Sequence, residues 1–267
     1  MFFGRIRLAS LNYDALSCYP SIHSLAKALR ATSLDLVLKV ASYNIRKAIG
    51  TDRLRRPDRI LDVLNEVDAD IVALQEADRR FGKRHSALPL DMIAAHSDYE
   101  PVPFETRPDS LGHHGNAILV RRGITALAHD ILHLPALEPR GAVVADIRAK
   151  GQELRIVGMH LDLSGFRRRQ QVRSVLAQIN DRAPDMPSIL MGDLNEWSHQ
   201  GGCLGEFIGG HHDAHTGPSF HSQRPIVRLD RIFVSHDIKI LSAGTHNSLK
   251  ARRASDHLPV WAELSFS

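Results

Sequence analysis

The sequence predicts an α/β protein in which two β-sheets lie between outer helices. Short apolar runs rich in Val, Ile and Leu outnumber amphipathic helical segments, and the two kinds are interleaved along the chain. Strands that are apolar on both faces must be covered on both sides, and two sheets flanked by helices bury all of these faces together. At 267 residues the chain is long enough for one large domain and marginal for two.

The elements are expected in the following order. Residues 1–35 do not share the pattern of the rest and are interpreted as an N-terminal extension of unknown role, with a short helix over 21–31. Apolar stripes at helical spacing predict helices over 57–67, 88–96 and 167–181, and Pro57 suits a first helical position. Apolar runs predict strands over 36–43, 70–74, 116–120, 142–147, 154–161, 188–191, 229–234, 238–243 and 259–264.

One helix–strand pair is weakly repeated along the chain. Helix 57–67 leads to strand 70–74, and helix 167–181 leads to strand 188–191. Each of these strands is followed by a carboxylate, so two similar halves could bring the two strand ends face to face. Helix–strand pairs are common, and the repeat is therefore suggestive only.

Composition sets broad limits on partners and location. The net charge of +4 and the pI near 9.3 suit an anionic substrate, but they fit a solvated basic surface equally well. Cys18 and Cys203 fit neither a disulfide framework nor a thiolate metal site, which favours free thiols in the cytoplasm. No apolar run approaches the roughly 18 residues of a membrane span, and no signal peptide is expected. At most a peripheral membrane contact and no obligate protein partner are expected.

Polar residues recur at or beside the ends of the predicted strands. They are Asn44, Glu76, Asn116, His160, Asp193 with Asn195, Asp230, and Asp256 with His257. Burying one polar group without a partner costs roughly 1–3 kcal/mol, and a marginally stable domain tolerates few such losses. Convergence at one edge, where the groups satisfy each other, a metal and water, removes the difficulty. Ligands in open α/β sheets bind at strand ends for a related topological reason.

The types of these side chains limit the chemistry. They are carboxylates, amides and imidazoles, without sulfur, and such sites favour hard cations such as Mg²⁺ or Mn²⁺. A hard cation neutralises phosphate oxygens and stabilises a leaving alkoxide. The sequence therefore predicts a site for a hard divalent cation, whose chemistry is suited to phosphoester bonds.

Seven motifs resemble, in their order, those of the endonuclease/exonuclease/phosphatase superfamily, the DNase-I-like fold. They are Ser42-Tyr43-Asn44-Ile45, Leu74-Gln75-Glu76, Gly115-Asn116-Ala117-Ile118, Met159-His160-Leu161, Gly192-Asp193-Leu194-Asn195, Leu229-Asp230 and Ser255-Asp256-His257. Each motif alone is weak, but the ordered set spans residues 38–264. The resemblance, closest to small bacterial members of unassigned substrate, implies a four-layer α/β/β/α sandwich of two mixed β-sheets. It also implies Mg²⁺-dependent phosphoester cleavage, with 36–267 as the catalytic domain.

The resemblance also implies ligands for the metal. Glu76 is similar to the main metal carboxylate of the family, with Asn44 and Asp256 nearby, and Mg²⁺ is the expected cofactor, with Mn²⁺ as an alternative. Without the other motifs, Glu76 would be interpreted as a surface residue that closes a strand.

Further roles are implied for the catalytic groups. Asp193 and Asn195 resemble the pair that orients the attacking water and the phosphate, although Gly-Asp-x-Asn alone is also good turn chemistry. Asp230 and His257 resemble a dyad in which a carboxylate orients an imidazole for general-base or phosphate-binding work. His160 resembles a histidine that binds a phosphoryl oxygen or serves as an acid.

The remaining polar residues are assigned less directly. Asn116 is expected to position the phosphate or brace the site, and His113 and His114 could line its mouth. The histidines at 211, 212 and 215 look like a metal tract, but such loops are more often incidental. The arginine runs at 167–169 and 53–59 are interpreted as solvated faces, although one arginine could reach a substrate phosphate.

The sequence is least informative about the substrate. Aromatic residues make up only 6% and long DNA-gripping insertions are not evident, which favours a small or phospholipid-like phosphodiester. A DNA endonuclease or exonuclease, including an abasic-site enzyme, is the alternative, with nucleic acid as substrate. A third possibility is a non-catalytic phosphate-binding module, which predicts loss of a metal or dyad residue; none of these positions is lost.

Overall fold

Twelve strands form the framework of the computed structural model, which describes residues 37–79, 85–104, 109–135 and 140–266. Within these ranges the strands are β1 Leu38–Asn44, β2 Ile71–Gln75, β3 Tyr99–Pro101, β4 Ala117–Arg121, β5 Thr125–Leu132, β6 Gly141–Ala149, β7 Gln152–His160, β8 Ser188–Asp193, β9 His211–Asp213, β10 Asp230–Ser235, β11 Ile238–Thr245 and β12 Val260–Phe266. The extension over 1–35 and its helix over 21–31 lie outside the described residues.

Four α-helices accompany the strands in the described part of the chain. They are α1 Pro57–Val67, α2 Leu90–His96, α3 Gly165–Arg182 and α4 Leu249–Ala254, and short 3₁₀ turns cover Arg46–Ala48 and Gly202–Glu206. None of these helices is long and apolar enough to cross a membrane.

The strands form two mixed six-stranded sheets. The first has the order β11-β12-β1-β2-β4-β3, and the second has the order β5-β6-β7-β8-β10-β9. In each sheet one pair is parallel, β1 with β2 and β7 with β8, while the other neighbouring pairs are antiparallel. A helix joins the strands of each parallel pair, α1 in the first case and α3 in the second. The expected repeat is therefore present.

Three apolar clusters define four layers. The cluster between the sheets contains Val40 and Ala73 of the first sheet and Ile156 and Met191 of the second. Side chains on the outer face of the first sheet pack with α1, α2 and α4. The outer face of the second sheet packs with α3 through its buried apolar residues. The predicted α/β/β/α sandwich of two mixed sheets is confirmed.

The element predictions succeed where periodicity is strong. Helix α1 has the predicted bounds. The Arg155 side chain of β7 donates to the Ile179 carbonyl of α3 at 2.7 Å and so ties this helix to the second sheet. The prediction for α2 began two residues early because Pro89 precedes the helix. Strands β3, β5 and β9 and helix α4 were not predicted. Strand β5 is largely exposed and lacks an apolar run, and the other three elements are six residues or fewer.

Candidate active site

The first sheet delivers four polar segments to one edge. Strand β1 ends at Asn44, which lies opposite Gln75 at the end of the parallel strand β2, so Glu76 follows at the same edge. Strand β4 runs antiparallel to β2 and begins there, immediately after Asn116. Strand β12 runs antiparallel to β1, and the Ser255 hydroxyl in the segment before it donates to the Asn44 carbonyl at 2.8 Å. Asp256 therefore lies at this edge as well.

The second sheet delivers the other polar groups in the same way. His160 and Asp193 are opposite each other at the ends of the parallel strands β7 and β8. Asp230 begins the antiparallel strand β10 and is paired with Asp193. All three side chains are buried. The register of two strand pairs therefore gathers three groups that are far apart in the chain.

The two edges meet at one carboxylate oxygen. Asp193 Oδ2 accepts a hydrogen bond from Asn44 Nδ2 at 2.9 Å, across the interface between the sheets. The same oxygen lies 3.3 Å from His160 Nε2 and 3.8 Å from His257 Nε2. Asp193 is 2% exposed, so burial alone would raise its pKa, but the charges of His257 and His160 hold the pKa well below the usual range.

The expected dyad is present as a close contact. His257 Nδ1 lies 2.8 Å from Asp230 Oδ2, and the Ser219 hydroxyl donates to that oxygen at 2.5 Å. Asp230 Oδ1 is buried and has no hydrogen-bond partner among the described residues. Burial, the largest influence, raises the pKa of Asp230 despite the nearby imidazole.

The protonation of His257 follows from its two acidic neighbours. Burial would lower its pKa, but the negative charges of Asp230 and then Asp193 raise the pKa to about 10. The ring is therefore an imidazolium at neutral pH in this arrangement. An imidazolium donates hydrogen bonds to anionic oxygens, and an imidazole held by a carboxylate accepts a proton from water; the dyad geometry is common to both roles.

Glu76 and Asp256 carry ion pairs with the turn that follows β1. The Lys47 ammonium contacts Glu76 Oε2, and Arg46 Nε lies 3.2 Å from Asp256 Oδ2. Burial raises the pKa of Glu76, but the charges of His160 and Lys47 outweigh it and lower the pKa. Glu76 is therefore anionic at neutral pH. Because β1 lies between β12 and β2, Asp256 and Glu76 stand on either side of Asn44.

This arrangement fits the expected metal ligands. Asn44, Glu76 and Asp256 offer only oxygen atoms, which a hard cation prefers, and they lie on adjacent segments of one edge. The cationic side chains of Lys47 and Arg46 contact the two carboxylates, as expected beside a concentrated negative charge. The site residues are thus chemically suited to Mg²⁺ or Mn²⁺.

A second possible metal group lies deeper. Ligand atoms of Asp193, Asp230 and His257 come within 4.8 Å of one another. Both nitrogens of His257 already face carboxylates, however, at 2.8 Å and 3.8 Å. We therefore interpret this group as a compact cluster of one histidine and two aspartic acid side chains that contact each other.

Two further asparagines at the edge, Asn195 and Asn116, are held by backbone groups. Asn195 Nδ2 donates to the Leu161 carbonyl at 2.9 Å, and its backbone N–H donates to Asp193 Oδ1 at 2.9 Å. Asn116 Nδ2 donates to the Gly141 carbonyl at 3.1 Å, while its Oδ1 is buried without a partner among the described residues. Asn195 and Glu76 have φ values of 50° and 54°, in the left-handed region that non-glycine residues rarely adopt.

Gly192 explains part of the motif around Asp193. A Cβ at this position would lie 1.8 Å from the Met159 carbonyl oxygen of the neighbouring strand. Only glycine allows β7 and β8 to approach this closely. The approach sets His160 beside Asp193, so the glycine serves the site through the backbone.

One arginine of the 167–169 run does not lie on a solvated face. Arg168 is buried and its guanidinium donates to Glu196 Oε2 at 3.2 Å and to the Leu163 carbonyl at 2.6 Å. Arg169 is exposed and Arg167 half-buried. The solvated-face interpretation is wrong for Arg168, because a buried carboxylate one residue beyond Asn195 requires a cation.

Sequence reasoning missed two residues near the catalytic edge and gave no role to the histidine tract. Arg140 Nη1 lies 2.8 Å from His160 Nδ1, and Arg140 directly precedes Gly141, which is paired with His160. The available signal was an arginine directly before an apolar strand. For Ser219 the sequence carried no signal, because this residue lies in a loop and reaches Asp230 only through tertiary structure.

The histidine tract lies away from the catalytic edge. His211 forms a hydrogen bond with the Ser188 hydroxyl at the other end of the second sheet. The three-residue metal group found among the described residues does not include the histidine tract.

Comparisons with known proteins agree with this geometry. The sequence model of the Endonuclease/Exonuclease/phosphatase family matches residues 41–257, more than three quarters of the chain. An uncharacterized Escherichia coli K12 protein, YbhP, is 27% identical, with 85% of this chain and 95% of that protein covered.

Solved structures show the same fold. A family member from Bacteroides vulgatus has a TM-score of 0.72 at 20% identity, covering 86% of this chain and 99% of that one. A mannosyl-6-phosphatase of Bacteroides thetaiotaomicron has a TM-score of 0.69 at 23% identity, covering 86% of this chain and 100% of that one. At these identities the likeness concerns the fold.

Proposed function

We propose that this chain, which belongs to the endonuclease/exonuclease/phosphatase family and is a phosphoric ester hydrolase, uses Mg²⁺ to cleave a small or phospholipid-like phosphodiester. One observation carries the proposal: Asp193 Oδ2 lies within 4 Å of Asn44, His160 and His257, at the edge where both sheets end. A buried carboxylate surrounded by hydrogen-bond donors is suited to orient a water against a phosphorus centre.

Asn44, Glu76 and Asp256 would hold the cation. A bound Mg²⁺ or Mn²⁺ neutralises phosphate oxygens and stabilises charge on the leaving oxygen. Lys47 and Arg46 contact two of these carboxylates and add positive charge beside the site. The oxygen-only donor set supports this assignment.

The other groups have separate tasks. Asp193 and Asn195 orient the attacking water and the phosphate, because both are fixed by hydrogen bonds to neighbouring strand ends. His257, held by Asp230, donates to a phosphoryl oxygen. His160 binds a phosphoryl oxygen or serves as an acid.

Asn116 braces the first-sheet side of the site, and its buried Oδ1 has no hydrogen-bond partner within the described part of the chain. The extension over 1–35, the catalytic boundary at 36 and the cytoplasmic location stay predictions.

The alternative substrates also have support. The family name includes nucleases, and one structural neighbour is named as a mannosyl-6-phosphatase.

A substrate panel discriminates among these classes. It contains bis(p-nitrophenyl) phosphate, p-nitrophenyl phosphate, plasmid DNA, abasic duplex DNA and a phospholipid, each with Mg²⁺ or Mn²⁺. We expect the diester and the phospholipid to be cleaved with a higher kcat/KM than the monoester and both DNAs. Preferential nicking of abasic DNA would replace our substrate class with the nuclease alternative.

Asp193→Asn tests the mechanism itself. The amide keeps the shape but removes the charge, and we expect kcat to fall by about 10³-fold or more while the fold is retained. Asp185→Asn, at an exposed position, is the matched control and should leave kcat unchanged. Circular dichroism and thermal melting check that the variant is folded. An unchanged kcat in folded Asp193→Asn would contradict the proposed role of Asp193.

A further inference from the structure

Four large apolar side chains stand exposed on the segments that adjoin the catalytic edge, three in loops and one, Phe166, in the first turn of α3. Leu163 and Phe166 follow His160 and are 63% and 71% exposed, Trp197 follows Asn195 and is 60% exposed, and Ile226 precedes Asp230 and is 68% exposed. We call these four residues the apolar rim. Single exposed apolar residues are ordinary, but a group around a polar site indicates an interaction surface.

Contacts on the described residues join the rim into one surface. Arg168 links the Leu163 carbonyl to Glu196, the residue before Trp197. The Trp197 ring packs edge-on against Phe220 at 6.1 Å, and the Ile226 N–H donates to the Phe220 carbonyl at 2.9 Å. The three rim segments are therefore neighbours.

The rim is also continuous with the catalytic groups. The Phe220 ring lies 4.9 Å from the ring of His257, so an aromatic contact path runs from exposed Trp197 to the buried dyad. A molecule resting on the rim would have its polar group beside the catalytic edge.

Arginines adjoin the rim, whereas its acidic neighbours Asp162 and Glu196 are buried. Arg167 and Arg169 adjoin Phe166, and Arg224 lies two residues before Ile226. Arg169 has one long ion pair with Glu206 at 3.7 Å, and no ion pair involves Arg167 or Arg224 among the described residues. Exposed apolar side chains interspersed with arginines are the features of a protein face that rests on an anionic lipid surface.

A lipid surface fits the rim better than a nucleic acid does. Nucleic acid bases stack on aromatic rings, whereas Leu163 and Ile226 are aliphatic. Aliphatic side chains are stabilised by transfer into the acyl-chain region, because their apolar surface is removed from water there.

We propose that the apolar rim and its arginines dock on an anionic phospholipid membrane and present the catalytic edge to lipid phosphodiesters there. The membrane contact stands on the rim alone, while its use in catalysis rests on the proposed function. Leu163, Phe166 and Trp197 enter the interface, and Arg167 and Arg224 face the lipid phosphates.

Trp197 reports directly on this contact. The chain has two tryptophans, and the conservative change Trp261→Phe leaves Trp197 as the single emitter. Vesicles of phosphatidylcholine with phosphatidylglycerol are titrated in EDTA, which prevents metal-dependent turnover of the lipid. We expect the Trp197 emission to shift to shorter wavelength with these vesicles, and much less with pure phosphatidylcholine.

A rim variant and a matched control decide the source of the binding. Leu163→Ser with Phe166→Ser and Ile226→Ser keeps the reporter and should weaken vesicle affinity by about tenfold or more. Leu127→Ser with Leu241→Ser removes two exposed apolar side chains from the edge strands β5 and β11 and should leave affinity unchanged. Equal affinity of the rim variant and the parent would overturn the proposal, as would an unshifted parent.

Two further measurements separate this proposal from the proposed function. The kcat of the rim variant on the soluble aryl diester should equal that of the parent. A parent protein without diesterase activity would contradict the proposed function and leave the membrane contact unaffected. A single-stranded oligonucleotide is titrated in parallel. A Trp197 response to the oligonucleotide but not to vesicles would assign the rim to nucleic acid instead.

Discussion

The buried pair of Arg168 and Glu196 provides a sharp test of the fold around the site. Arg168 is 7% exposed and Glu196 is 4% exposed. The change is Arg168→Met, which keeps much of the side-chain volume and removes the cation. Its neighbours Arg167→Met and Arg169→Met are matched controls, because they carry the same chemistry on the same helix in more exposed positions.

The magnitude follows from what Glu196 retains. Removing one partner of a buried ion pair costs about 3–5 kcal/mol, because the other charge stays buried. The Glu196 carboxylate keeps hydrogen bonds from the backbone N–H groups of Ser198 and Cys203, at 3.0 and 3.1 Å, so we expect the lower end, about 3 kcal/mol. For a domain of this size that corresponds to a fall in Tm of roughly 6–12 °C.

The assay is urea unfolding followed by circular dichroism, with thermal melting as a second measure. Arg167→Met and Arg169→Met should each change the free energy of unfolding by no more than about 0.5 kcal/mol. Glu196→Gln and the double variant complete a cycle, and a coupling energy above about 1 kcal/mol is expected for groups in direct contact. If Arg168→Met lowered the free energy of unfolding by no more than Arg167→Met and Arg169→Met do, burial of the ion pair would not stabilise the protein as we expect.

Three further predictions concern the dyad, the histidine tract and the metal. Asp230→Asn removes the charge that orients His257, so kcat on the aryl diester should fall by about 10²–10⁴-fold, and an unchanged kcat would argue against the dyad. Burial, then the charges of His236 and His212, lower the pKa of His211 to about 4, whereas an unfolded histidine titrates near 6.5. The folded state thus binds fewer protons than the unfolded state below pH 6.5. The free energy of unfolding should therefore fall by about 2 kcal/mol between pH 6.5 and pH 4. Urea titrations should show a smaller fall for His211→Asn. Dialysis against EDTA should abolish diesterase activity, and added Mg²⁺ or Mn²⁺ should restore it; activity that survives chelation would exclude the metal assignment.

Local patterns in the sequence were sufficient for the main elements. The apolar stripe and Pro57 identified α1 with its observed bounds, since both signals act within the helix itself. Exposed or very short strands such as β5 and β9 carry little apolar periodicity, and their pairing depends on neighbours already in place. Such strands are visible only in the folded sheet.

The chemical inventory of the site was also readable from the chain. Asn44, Glu76, His160, Asp193 and Asp230 were identified because polar groups at the ends of apolar strands are costly unless they converge. Strand direction then implied a common edge. The types of side chain present favour a hard cation as the expected metal.

Only the tertiary structure decided which of these groups touch. The contact between Asn44 and Asp193 crosses from one sheet to the other and spans 149 residues of sequence. Burial of Arg168 and the attachment of Ser219 to Asp230 depend equally on how the loops close. Periodicity is a property of consecutive residues, so the sequence by itself determined the elements and the kinds of groups at their ends. Distances, burial and pKa values depend on register and packing between distant segments, and these exist only once the chain is folded.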